Sequence, residues 1–141
     1  MDATRDLLVN VLRYKPFLIK PNNHELSEIA GVKLTNDNEI VTAARMMQAK
    51  GARNVLVSMA GDGALLLDEQ GGVHRIGCPK GKVVNSVGAG DSMVAGFVAG
   101  YQQSGGDYAA ALKLGTACGS ATAFSLGLAT KADIDKLLKT M

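Results

Sequence analysis

Charge in excess of either sign is missing. Lys and Arg number 15 against 13 Asp and Glu, a formal net charge of +2 over 141 residues. Binding to nucleic acid or an anionic membrane runs on clustered positive charge, so neither is expected as the main partner. Long apolar runs are missing too. The most apolar window, residues 108–126, is interrupted by Lys113, Gly115, Gly119 and Ser120, and no membrane span is expected. The opening "MDATRDLL" lacks a basic stretch ahead of an apolar block, so no secretory leader is expected. Cysteine is scarce, with Cys78 and Cys118 alone and in unrelated contexts. Free thiols in a reducing cytoplasm are the expectation, not a disulfide framework. No repeat, low-complexity tract or linker is visible.

What is present reads as a folded globular chain: 47% hydrophobic residues with 20% charged. The length allows one domain at most, with a real core. Leu7, Leu8, Val11 and Leu12 fall at helical spacing within residues 2–13. "PFLI" (16–19) suits a short buried strand, and helical patterns follow at about 23–30 and 37–50, the second closed by Gly51. "NVLVSM" (54–59) is a buried-strand run, and residues 64–76 read as two strands around Gln70-Gly71-Gly72. Val83 and Val84 form a strand-like stub, followed by helices at about 89–103, 107–126 and 131–140. Strands alternating with helices predict an α/β layered domain with a largely parallel sheet.

Ligands of such sheets bind where strand ends run into helix starts, and three of these junctions are distinctive. The first is "VVNSVGAGDSMVAGFVAG" (83–100), with one carboxylate among glycines. A helix starting near Ala89 would offer the amides of Gly88, Ala89 and Gly90 to an anion, unblocked by side chains. Asp91 in the first turn is explained equally by compensation of the helix dipole and by a role as proton acceptor for a hydroxyl attacking phosphorus. A dinucleotide fingerprint would need glycine where Met93 stands, and the Walker-like "PKGKVV" has Val83 where Ser or Thr should hold magnesium. The second junction, "SMAGDGALL" (58–66), places Ser58, Gly61 and Gly63 in a tight turn. That turn could lie against a nucleotide or be a turn only. The third, "IKPNNHEL" (19–26), places Asn22 and Glu25 at capping-box spacing, with magnesium-bound water as the functional alternative.

Other conspicuous residues take plainer readings. His24 and His74 are too far apart in sequence for a metal pair and suit solvent or cap roles. Met46 and Met47 fit packing, Lys82 a solvated loop. Gly115 and Gly119 allow close approach of a helix or a nucleotide.

Together the junctions resemble the PfkB, or ribokinase-like, carbohydrate kinase family. "NSVGAGDSMVAGFV" is similar to its carboxyl-terminal signature, "KPNNHEL" to its Asn-x-x-Glu motif and "VSMAGDGALL" to its nucleotide-side turn. The order and approximate spacing agree over nearly the whole chain. Within the family, "IKPN" with "VGAGDSMVAGF" is most similar to the branch of 1-phosphofructokinase and tagatose-6-phosphate kinase. The resemblance implies a three-layer αβα ribokinase-like fold and ATP-dependent phosphorylation of a phosphosugar, fructose 1-phosphate or a close analogue, in the intact enzyme. It implies Asp91 as catalytic base and Gly88, Ala89 and Gly90 as the anion hole for the γ-phosphoryl group. It also implies Asn22 and Glu25 organising Mg2+ through water, with Ser58, Gly61, Gly63 and the stretch Gly119 to Ser125 lining the ATP site. Where some relatives carry an Asp-Thr pair beside a monovalent cation, this chain has Asn85-Ser86. The family's amino-terminal half, with the sugar contacts and a lid, has no counterpart here. Residues 1–141 therefore read as one incomplete domain, the ATP-binding and catalytic half, whose partners would be that missing half, ATP, a phosphosugar and, as an option, further copies. The alternative is a non-catalytic nucleotide-binding or interaction module.

Overall fold

Asn22 starts a helix because its side chain replaces a partner the helix cannot supply. Asn22 Oδ1 accepts from the Glu25 amide at 2.8 Å, and Glu25 Oε1 accepts from the Asn22 amide at 3.0 Å. The expected capping box is thus formed, with asparagine in the capping place. It opens α1 (Asn23–Ala30), which ends at Gly31 in the left-handed conformation. Asn36 caps α2 (Asp37–Ala49) through the Glu39 amide. The closing residue of α2 is Lys50, right-handed, and Gly51 follows at φ +135, where a Cβ would sit 1.9 Å from the Leu12 carbonyl oxygen.

In the computed structural model the described residues are 10, 12, 14–59, 63–77, 89–124 and 131–139. Most of the expected helix at 2–13 and the stub at 83–84 lie outside them. Compact units form from Met1–Ala60 with Ala64–Arg75, and from Gly61–Gly63 with Ile76–Met141.

The first unit is built on a sheet in the order β1-β2-β3-β4, with β1 Leu18–Ile19, β2 Asn54–Ser58, β3 Ala64–Leu67 and β4 Val73–Ile76. β1 and β2 are parallel, Leu18 opposite Asn54. β2 and β3 are antiparallel, Val55 opposite Leu67 and Ser58 opposite Ala64. Over the described strands the sheet is therefore mixed, where a largely parallel one was expected. The link from β2 to β3 is only residues 59–63, whereas a parallel return needs a crossover of about a dozen residues or more. Val55, Val57, Leu65 and Leu67 pack with Leu26, Ile40, Ala44 and Met47 in one core. Leu56 and Leu66, alternating onto the other face, are buried as well, so both faces of the sheet are covered. Each such side chain contributes about 1.5–3 kcal/mol by leaving water. Met47 belongs to this core and Met46 is exposed.

Polar pins hold the sheet end where β2 begins. Asn54, fully buried, donates through Nδ2 to the Phe17 carbonyl and accepts at Oδ1 from the Glu69 amide, both at 2.8 Å. Asp68 Oδ1 accepts from the amides of Gln70 and Gly72, each at 2.9 Å, and the Nε2 of His74 donates to Oδ2 at 2.7 Å. His74 is thus a half-buried partner of a buried carboxylate, where a solvent or cap role was expected. His24 is exposed.

The second unit pairs α3 (Ala89–Gln103) with α4 (Tyr108–Ala123), and α5 (Lys131–Leu138) packs on α4. Asp107 caps α4 through the amides of Ala109 and Ala110. Close approach of α3 and α4 is built on glycine. A Cβ on Gly115 would lie 2.8 Å from the Met93 carbonyl oxygen, one on Gly96 would lie 2.7 Å from Cys118 Sγ, and one on Gly100 would lie 3.0 Å from Ala111 Cα. Gly115 is therefore a helix-packing glycine.

Candidate active site

In the first unit, the carboxyl ends of the parallel strands bring expected site residues together. The Ser58 amide donates to the Pro21 carbonyl at 3.1 Å, and Asn22 bridges to Ser58 in the parallel sense. Asn22, Glu25 and Ser58 thus share one sheet end, each half-buried. Glu25 is fixed by the cap through Oε1, and among the described residues its Oε2 accepts no hydrogen bond. The Ser58 hydroxyl likewise bonds to no described residue. In the second unit, Gly63, at φ +93, is glycine for a backbone reason: a Cβ there would lie 2.0 Å from the Ile76 carbonyl oxygen.

In the second unit, α3 begins at Ala89, so the amides of Ala89 and Gly90 have no intrahelical acceptor and lie at the positive end of the helix. Asp91 stands in this first turn with its side chain exposed. An exposed carboxylate beside amides with no intrahelical acceptor can accept a proton from a hydroxyl while the amides hold an anion. Gly119 is buried in α4, one turn before Thr122. Thr122 Oγ1 donates to Ser92 Oγ at 2.8 Å, a contact the motif reading missed. Ser92 sits within "GAGDSMVAGF", but its partner lies 30 residues away and carries no local signal. Gly61, Gly88, Ser125, Cys78, Lys82 and the Asn85-Ser86 pair lie outside the described residues.

Among the described residues no three His, Cys, Asp or Glu side chains converge to hold a metal. Direct capture of a metal by three protein side chains does not fit the described residues. A magnesium ion that keeps its waters and is carried on phosphates does fit, since such an ion needs only one or two protein oxygens. Glu25 Oε2 and the amide group of Asn22 are the groups that could meet those waters.

The sequence pattern of "pfkB family carbohydrate kinase" matches residues 2–135. The chain is 46% identical to the 1-phosphofructokinase of Bacillus subtilis over 138 residues, which are 98% of this chain and 45% of that protein. It is 41% identical to the D-tagatose-1-phosphate kinase of Bacillus licheniformis over 141 residues, again 45% of that protein. A solved structure of phosphofructokinase-2 from Escherichia coli, in complex with substrates and products, superposes with a TM-score of 0.86 at 28% identity. That match covers 96% of this chain and 45% of the other. The chain thus spans a little under half the length of these relatives, and the α/β fold expected from sequence is theirs. Among the described residues no helix is long and apolar enough to cross a membrane.

Proposed function

This chain belongs to the pfkB family of carbohydrate kinases, and we propose that it supplies the ATP-binding and catalytic half of a phosphosugar kinase. The observation that carries the reading is the exposed Asp91 in the first turn of α3, beside backbone amides that have no acceptor within the helix. In this reading Asp91 takes the proton of a sugar hydroxyl as its oxygen bonds to the γ-phosphorus. The bond from that phosphorus to the bridging oxygen breaks, and ADP leaves. A loose phosphoryl transfer depends chiefly on positioning and charge, and a carboxylate at this helix start supplies both. The amides of Gly88, Ala89 and Gly90 hold the transferred group. Ser58, Gly61, Gly63, Gly119 and Ser125 line the nucleotide site. Magnesium, when bound, neutralises phosphate charge, and Asn22 and Glu25 orient its waters.

Fructose 1-phosphate, converted to fructose 1,6-bisphosphate, is the favoured substrate, supported by the identity to the Bacillus subtilis relative. A tagatose phosphate is the second reading, supported by the Bacillus licheniformis relative. The test joins this chain to the amino-terminal portion of the Bacillus subtilis relative and measures ADP release with each sugar phosphate. Turnover is expected with fructose 1-phosphate. Asp91→Asn is expected to lower kcat by on the order of a hundred- to ten-thousandfold, with ATP affinity kept. Near-wild-type turnover in Asp91→Asn would end the base assignment, and binding of ATP without any turnover would favour a non-catalytic module.

A further inference from the structure

The glycine contacts between α3 and α4 set how closely the helices approach, but they are non-directional. Met93 and Phe97, both buried, hold the body of α3. The hydrogen bond from Thr122 Oγ1 to Ser92 Oγ adds a directional contact at its first turn, because such bonds weaken steeply with lost distance and angle. Thr122 is 3% exposed, and a buried hydroxyl that loses its partner is destabilised, so this contact resists rotation. Successive helix residues point about 100° apart. With Ser92 turned onto α4, its neighbour Asp91 is turned outward, in keeping with its exposure. The same helix holds an internal contrast. Thr116 Oγ1 is also buried but, among the described residues, has no partner.

We propose that Thr122 is a positioning residue for Asp91: through Ser92 it sets the rotation of the first turn of α3 and so aims the carboxylate. The inference rests on the kinase reading of Asp91. Thr122→Val replaces the hydroxyl with a methyl at equal volume, in the joined enzyme described above. The expected result is a loss of kcat by roughly ten- to a hundredfold, the scale of a misaimed group, with KM for both substrates little changed. Ser92→Ala should give the same loss, the double variant no more than either alone, and Thr122→Ser should restore turnover. Thr116→Val, which removes an unpaired hydroxyl from the same helix, should leave kcat where it was. The proposal is overturned if Thr122→Val keeps its kcat while Asp91→Asn has lost it. It is overturned as well if Thr122→Ser fails to rescue, or if Thr116→Val is as damaging. Should Asp91→Asn keep its turnover, the kinase reading falls, and backbone NMR on this chain still decides the positioning role. Order parameters at residues 90–92 should drop in Thr122→Val and recover in Thr122→Ser; unchanged values in Thr122→Val overturn it.

Discussion

Asp68 and Asp91 show how placement divides the work of one side-chain type. Burial of Asp68 by itself raises its pKa, but the hydrogen bond from His74, the amides of Gly72 and Gln70 and the charge attraction of His74 outweigh it. The net result is a carboxyl held below the ordinary aspartate value of 3.8. A group whose pKa is lower in the folded chain contributes stability that is full above its unfolded value and is lost as pH falls through the folded one. Thermal unfolding followed below about pH 4 should therefore show a falling midpoint, and Asp68→Asn should flatten that acid limb while lowering stability at neutral pH. An acid limb unchanged in Asp68→Asn would show that other carboxylates carry it. Asp91 lies exposed at a helix start, where a carboxylate contributes only about 0.3–1 kcal/mol. Replacing it with asparagine should barely move the melting temperature, so the change in rate reports on chemistry alone.

At the level of elements, the pairing of α3 with α4 turns on glycine. In an open helix Gly→Ala gains about 1 kcal/mol. At Gly115 the added Cβ would meet the Met93 carbonyl oxygen at 2.8 Å and the Phe97 Cβ and amide nitrogen at 3.2 Å. Backbone cannot yield cheaply, and overpacking of this kind costs typically 1–3 kcal/mol. Crowding outweighs the gain, so Gly115→Ala should destabilise by up to about 2 kcal/mol, read as a lower midpoint in urea; a higher midpoint would show that the seam has slack. Local signals made most elements legible in the sequence. Asn22 with Glu25 marked a helix start, and the apolar runs at 54–59 and 64–67 marked buried strands. The end of α2 was less legible, because Gly51 is required not by the helix cap but by the Leu12 carbonyl packed against it. Sheet polarity was misread where a short link between β2 and β3 forces an antiparallel pair. The candidate site was legible as motif residues, Asp91 above all. Its support was not: the pairing of Ser92 with Thr122, 30 residues apart, arises only once α3 and α4 pack.

For the whole molecule, length against its relatives is the decisive quantity, since the chain spans 45% of the Bacillus subtilis protein it resembles. A kinase reaction needs a nucleotide, a base and a sugar held together, and the residues proposed here account for the first two. The chain by itself is therefore expected to show no ADP release dependent on fructose 1-phosphate; robust turnover would sink the half-enzyme reading. A second consequence follows from the sheet. β1 is only two residues long and stands at one border of the order β1-β2-β3-β4, so its outer backbone groups face no described strand. An open strand edge of this kind is a template for pairing with another chain. Light scattering across a concentration series should show self-association of this chain, and joining it to the amino-terminal portion of the relative should reduce that association as turnover appears. A monomer at every concentration, with no change on joining, would mean that the edge of β1 is already closed.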